Sequence, residues 1–275
     1  MSNKNDCPVV IPYYGGKYGL SKKLVPLLPI HNRYFEPFFG GGSMFFRKAK
    51  ADWNVLNDID NDLVNLYIVV LKRFDDFCDQ LYWTTRSRIL HDQYRKDIKN
   101  EPIISFPDVD RAAKYFYIVR NAFNNKPFNT FSKDTYWRTD MIDELRLSKE
   151  KLNGSTVENL DFEELIHRYS PIRTDDFFYF DPPYAVTLHK KDYYRNVFNK
   201  EQHIKLANLC KFINSEGGKF MISYDNVKEI ENLYKDFEIE KIETKYVGSN
   251  PDIRGEIKTE LVIMNYKSIK QGVLF

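Results

Sequence analysis

Two kinds of apolar pattern alternate along the chain. Short runs without alternation suit strands covered on both faces, the usual state in a parallel sheet flanked by helices. Phe177-Phe178-Tyr179-Phe180 is the clearest, and Tyr34-Phe35, Val55-Leu56, Phe220-Met221-Ile222 and Leu261-Val262-Ile263-Met264 resemble it. Phe237 to Ile242 alternates, as a strand with one wet face would. Elsewhere apolar residues recur at helical spacing: Leu20, Leu24, Leu27 and Leu28 before Pro29, then Leu63, Leu66, Tyr67 and Val70, and later Leu206, Leu209, Phe212 and Ile213 before Gly217-Gly218. Val227 to Tyr234 reads as a further helix. Strand and helix alternation at both ends of the chain predicts an α/β sheet with helix-covered crossovers. From about Lys72 to Tyr169 the period is helical, with polar breaks and no alternating strand. The expected division is therefore a sheet domain of residues 1–71 and 171–275, carrying a mainly helical insert at 72–170.

Candidate chemistry gathers where the predicted strands end. The run from Phe177 stops at Asp181-Pro182-Pro183-Tyr184. Neither proline can donate to a strand ladder, so Asp181 is expected at the carboxyl edge of the sheet, where open α/β folds bind ligands. After Tyr34-Phe35 comes Glu36-Pro37-Phe38-Phe39-Gly40-Gly41-Gly42-Ser43 and an apolar continuation compatible with a helix. Glycines there let backbone approach a ligand closely, although the stretch matches neither a Walker loop nor a complete dinucleotide fingerprint. Asp58 follows Gly42 by sixteen residues, a position suited to accepting the hydroxyls of a ribose. The competing reading is that Asp58 or Asp60 caps the next helix. Near the N-terminus, Gly15-Gly16-Lys17 precedes a predicted helix start, which suits an anionic group or, equally, a solvated turn lysine.

Composition narrows the class. A chain of 275 residues with 43% hydrophobic residues can build a large core. No apolar run reaches the length of a membrane span and the first residues lack a signal-peptide core, so the cytoplasm is the expected compartment. Cys7, Cys78 and Cys210 lie far apart, suggesting neither a disulfide framework nor a metal site. A formal net charge of +2 announces no polyanion partner, so any such surface must be local. Arg111 to Arg138 is the one concentrated stretch, with six cations against the single acid Asp134, interleaved with aromatics and asparagines. That mixture suits a nucleic-acid surface; the alternative is a solvated helix face with its aromatics in the core. The polar and aromatic segment Ala185 to Asn199 is expected to be a mobile substrate loop, and Val247 to Lys258 is a second polar, basic loop.

Three of these stretches occur in one order that resembles a known family. Tyr13-Tyr14-Gly15-Gly16-Lys17, Glu36-Pro37-Phe38-Phe39-Gly40-Gly41-Gly42-Ser43 and Asp181-Pro182-Pro183-Tyr184 are similar to the Dam-like DNA adenine-N6 methyltransferases of the alpha arrangement, over nearly the whole chain. The resemblance implies a Rossmann-like methyltransferase sheet with an inserted target-recognition subdomain, S-adenosyl-L-methionine as methyl donor and double-stranded DNA as partner. It implies donor contacts from Tyr13, Lys17, Phe38, Gly40, Gly42, Asp58 and Asp181. Arg120-Asn121-Ala122-Phe123-Asn124-Asn125 resembles the recognition segment, with Arg120, Asn124 and Lys126 as candidate DNA contacts, and the stretch that follows is shorter than in GATC-methylating members.

The reaction itself makes sense of the motif. Adenine's exocyclic amine is a weak nucleophile because its lone pair is delocalised into the ring. Asp181 and the carbonyl of Pro182 can accept its two hydrogens and localise that pair, with the proline dihedrals fixing both acceptors. Tyr184 would stack on the extruded base. The Pro-Pro-Tyr motif alone also fits cytosine-N4 or RNA adenine, and a non-catalytic DNA-binding relic of the fold is a third reading. Cytosine carbon-5 chemistry is disfavoured, since no cysteine follows a proline. Neither metal nor membrane is expected. A monomer is the working expectation, and the sequence leaves open the target site, GATC included, and a restriction–modification, phage or regulatory setting.

Overall fold

The computed structural model describes residues 7–13, 15–133, 137–138, 140–184, 198–245 and 257–268. The chain forms two compact units, one of residues 1–17, 40–49 and 60–157 and one of residues 18–39, 50–59 and 158–275.

A seven-stranded sheet dominates the second unit. Its strands are β1 (Arg33–Glu36), β2 (Trp53–Asn57), β3 (Thr156–Glu158), β4 (Asp176–Phe180), β5 (Lys219–Asp225), β6 (Glu238–Lys245) and β7 (Ile257–Met264), in the spatial order β3-β2-β1-β4-β5-β7-β6. β1 runs parallel to β2 and β4, with Phe35 opposite Val55 and Phe178, and β4 runs parallel to β5 with Phe180 opposite Ile222. β7 is antiparallel to both β5 and β6. All five residues of β4 are buried, as an apolar run without alternation requires.

One face of the sheet is covered by helices. Phe35, Phe178, Phe180, Ile222 and Ile263 pack with Leu165 and Ile166 of α7 (Phe162–Arg168), Leu206, Cys210 and Ile213 of α8 (Lys200–Ser215) and Ile230 of α9 (Lys228–Leu233). Asn199 and Gln202 form a reciprocal capping box at the start of α8. Because side chains alternate across a strand, Tyr34, Glu36 and Tyr179 face the other way, and all three are buried. Among the described residues, no helix is long and apolar enough to cross a membrane.

In the helical unit, α2 (Asn61–Lys72), α3 (Phe74–Trp83) and α4 (Arg88–Asn100) each pack against α5 (Val109–Asn121), and α6 (Met141–Leu152) packs against α2. Tyr115, Phe116 and Tyr117 of α5 are fully buried. Buried polar contacts key this core: Arg111 Nε meets Asp62 Oδ1 at 2.5 Å, and Asn65 exchanges two bonds with the main chain of Asp108 at 2.8 and 2.9 Å. These bodies do not share the bounds of the insert expected at 72–170. α2 packs with the helices that follow it, so the helical body takes in residues from Asp60, whereas α7 packs with α8 beside the sheet.

Three local expectations need correction. The continuation after the glycines is a series of turns and no α-helix: the Phe46 amide bonds to the Gly42 carbonyl at 2.9 Å, and Met44, Phe45 and Phe46 are buried. Burial of consecutive aromatics there outweighs helical spacing. The helix after Lys17 is shorter than its leucine spacing suggests, α1 (Tyr18–Leu24) giving way to a 3₁₀ turn at Val25–Leu27 where Pro26 interrupts it. The segment read as lacking strands contains β3, three half-buried residues at the sheet edge, too short to show alternation.

Candidate active site

In the sheet unit, three adjacent parallel strands end side by side, and each delivers a residue singled out in the sequence. β1 leads to Phe38, β2 to Asp58 and β4 to Asp181. The edge is tightly braced. The Phe39 amide donates to the Asn57 carbonyl at 2.8 Å, and the Asn57 side chain bonds to the main chain of Pro37 and of Leu160. Asp58 is half-buried; its amide donates to the Glu158 carbonyl at 3.4 Å and its carbonyl accepts from Asn159 at 2.8 Å. The cap of α2 is Asp60, whose carboxylate accepts from the Asp62 amide at 3.0 Å. Helix capping therefore falls to Asp60, not to Asp58. The Phe38 ring lies 5.3 Å from that of Phe162 and 5.5 Å from that of Phe198, so much of it belongs to the core.

Asp181, half-buried, follows β4 directly, and Pro182 behind it is buried. The Ser223 hydroxyl on β5 donates to Asp181 Oδ1 at 3.2 Å, and Tyr179 Oη lies 2.9 Å from Ser223 Oγ. On β1, Tyr34 donates to Glu36 Oε2 at 2.7 Å. Burial, reinforced by the Glu36 carboxylate, holds the Tyr34 phenol well above its ordinary pKa; burial and then the charge of Asp181 do the same for Tyr179. Both phenols stay protonated and able to donate. Tyr184 packs half-buried against the core, with its hydroxyl donating to the Glu260 carboxylate of β7. Ser223, Tyr179, Glu36 and Glu260 were not singled out from the sequence. The signals present were an acid ending a strand in Glu36-Pro37 and a lone serine inside an apolar run.

In the helical unit, Tyr13 lies against the glycine loop. A Cβ on Gly41 would fall 2.9 Å from Tyr13 Cβ, and Gly40 and Gly42 have φ of +49° and +68°. Gly41 thus allows close packing, while its neighbours allow a left-handed turn. Tyr67 of α2 donates to the Gly40 carbonyl at 2.7 Å, fixing that turn. Lys17 is buried, which removes the reading of a solvated turn lysine.

The basic stretch divides in two. On α5 its cations serve the fold: Arg111 pairs with Asp62, Lys114 with Asp97 and Asp110, and Arg120 lies over the Phe116 ring at 5.5 Å. Burial of Arg120 lowers its pKa. Beyond α5, residues 121–132 make a compact loop closed by the Ala122–Phe131 bridge and the Ser132 amide on the Asn121 carbonyl at 2.7 Å, and Arg138 at the end of the stretch pairs with Asp140. Arg86 clamps both legs, with Nε to Asn121 Oδ1 at 3.2 Å, a terminal nitrogen to the Ser132 carbonyl at 2.6 Å, and its guanidinium 4.3 Å from the Phe131 ring. Asn124 sits at a left-handed turn, φ +59°, and both Asn124 and Lys126 are half-buried. Residues 185–197 of the expected substrate loop, and 247–256 of the second polar loop, lie outside the described residues.

The chain is similar to DNA methyltransferases over most of its length. The Type II methyltransferase M1.LlaDCHI of Lactococcus lactis subsp. cremoris is 30% identical, the alignment covering 97% of this chain and 98% of that protein. The Type II methyltransferase M.MjaIII of Methanocaldococcus jannaschii is 27% identical over 93% of this chain and 98% of its own, and the DNA adenine methylase of Haemophilus influenzae 25% identical over 92% of each. The family model of the D12 class N6 adenine-specific DNA methyltransferases matches residues 13–247. With the relatives aligned nearly end to end and the family pattern spanning most of its length, the chain belongs to the D12 class N6 adenine-specific DNA methyltransferases.

Proposed function

We propose that the chain transfers a methyl group from S-adenosyl-L-methionine to the N6 amine of an adenine extruded from duplex DNA, with Asp181, Pro182 and Tyr184 handling the base. The observation that carries this reading is the position of Asp181, which leaves β4 at the carboxyl edge of the sheet with one oxygen held by Ser223 and a buried proline behind it. Asp181 accepts one amine hydrogen and the Pro182 carbonyl the other, so the nitrogen lone pair points away from the ring system. Tyr184 stacks on the base and is steadied by Glu260.

The residues present suit the methyl donor. Asp58, not needed as a helix cap, accepts the ribose hydroxyls, and Phe38 flanks the donor. Gly40 and Gly42 keep their turn clear of side chains, and Tyr13 and Lys17 are further contacts. The donor supplies an activated methyl on a sulfonium, so transfer asks the protein mainly for alignment. Catalysis falls to residues 1–71 and 171–275 and target recognition to residues 72–170, where the loop at 121–132 presents Asn124 and Lys126, with Arg120 at its base. Cations on phosphates would make binding salt-dependent.

Expression in a host lacking DNA methylation, followed by sequencing of modified bases, tests the reading and reports the target. N6-methyladenine at one recurring site is expected, and none with Asp181→Ala. Methylated cytosine, or undiminished adenine methylation in that variant, overturns it.

A further inference from the structure

We infer that Arg86 is a positioning residue for target discrimination, acting by holding the loop at 121–132 in the shape that reads DNA. The inference rests on the proposed role of that loop in target recognition. Arg86 itself sits on an anchored backbone. The buried Tyr117 hydroxyl of α5 accepts from the Ser87 amide at 2.6 Å and lies 3.1 and 3.0 Å from the carbonyls of Thr85 and Ser87. The half-buried arginine side chain is therefore presented to both legs of the loop from a fixed point.

Its fork meets two acceptors whose orientation is settled. The Asn121 side-chain nitrogen donates to the Tyr117 carbonyl at 3.0 Å, so its oxygen faces Arg86 Nε, while the Ser132 carbonyl takes a terminal nitrogen. The Phe131 ring packs on the guanidinium at 4.3 Å and edge-to-face on buried His91 at 5.5 Å. At the tip, Asn124 and Asn125 both have left-handed backbone, φ +59° and +52°. Such backbone persists where its surroundings over-determine it. Arg95 of α4 holds the Phe128 carbonyl, Asn129 bonds to the Phe123 carbonyl at 3.0 Å, and Arg86 fixes the legs from which the tip springs. Base-edge hydrogen bonds weaken steeply with misalignment, whereas phosphate contacts carry no sequence information. A loop loosened at its legs should thus lose discrimination before it loses binding.

The test measures methylation, by the full chain, of two synthetic duplexes, one with the recurring site reported by sequencing and one differing from it by a single base pair. The readout is the ratio of their kcat/KM values, which an inactive fraction of enzyme leaves unchanged. Arg86→Ala should lower that ratio about tenfold, the discrimination carried by one good base contact, with KM for the donor within severalfold of the parent. Arg86→Lys keeps the charge but lacks the planar fork, and should lower the ratio severalfold. Thermal unfolding of each variant is the control.

A folded Arg86→Ala enzyme with the parent ratio overturns the inference, and binding weakened equally on both duplexes would mark a phosphate contact instead. The parent ratio in Arg86→Lys overturns it too, by placing any effect in the charge, and decides the matter where Arg86→Ala does not fold. A double variant, Asn124→Ala with Lys126→Ala, separates the two levels. The parent ratio there removes the reading of the loop itself, whereas an altered ratio there beside a normal Arg86→Ala removes only the role of the arginine.

Discussion

The side-chain amide of Asn57 donates to the main-chain carbonyl of Pro37 at 2.9 Å, joining the end of β2 to the turn that leaves β1. The same side chain both donates to and accepts from the main chain of Leu160, and the residue is 1% exposed. Asn57→Ala would remove three bonds to the main chain, one of them buried and two part-buried. We expect a loss of about 2–3 kcal/mol in denaturant unfolding, with donor affinity weakened severalfold because Asp58 is the next residue. A variant as stable as the parent would show that the edge is braced by other means.

Asp58 and Asp60, two residues apart, are expected to separate cleanly. Asp60→Ala removes the cap of α2 and a partner of the Tyr115 hydroxyl, which should cost about 1–2 kcal/mol of stability. Asp58→Ala should leave the melting temperature nearly unchanged and weaken donor binding at least tenfold by calorimetry, about the value of a charged hydrogen-bond acceptor. The opposite pattern would exchange the two roles.

Tyr184 offers a graded series. Tyr184→Ala removes the proposed stack and should lower kcat/KM roughly ten- to hundredfold, the range for one base–aromatic contact. Tyr184→Phe keeps the ring but loses the bond to Glu260, and so should fall between the parent and the alanine variant. Glu260→Ala, which removes the acceptor of that bond, should resemble Tyr184→Phe. Equal effects of phenylalanine and alanine would place the importance of Tyr184 in its hydroxyl.

His203 sets a pH dependence of stability. Its Nδ1 lies 2.7 Å from the Tyr224 hydroxyl, and burial pushes its pKa down to about 4 from the usual 6.5. The unfolded chain therefore binds the proton first as pH falls, so stability increases with pH between these values. The contribution is fully present above 6.5 and is lost as pH falls through 4, up to about 3 kcal/mol. Burial lowers the pKa of His91 too, adding in the same sense. Unfolding of His203→Gln followed across this window should show a shallower slope than the parent; an identical slope would exonerate His203.

The parallel half of the sheet was legible because Phe177 to Phe180 and their counterparts are apolar without a break, and the Asp181 turn announces its own edge. The antiparallel placement of β7 was not, since strand order depends on contacts far apart in sequence. The polar face beneath the site was hidden for a different reason. Tyr34 and Tyr179 read as apolar in a hydrophobic run, and only the alternation of side chains turns their hydroxyls toward Glu36 and Ser223. The cations of α5 misled in the opposite direction: Arg111 and Lys114 look like a phosphate-binding surface until their carboxylates, distant in sequence for Asp62, are seen beside them.

The place of β7 between β5 and β6 also orders events during synthesis. Until residues 257–264 leave the ribosome, β5 has an open edge and β6 has no neighbour to join it to the sheet. Glu260, which steadies Tyr184, comes with that same strand. A nascent chain can thus complete the glycine turn and the Asp181 turn early, yet Tyr184, the tyrosine proposed to stack on the base, lacks its bond to Glu260 until β7 docks.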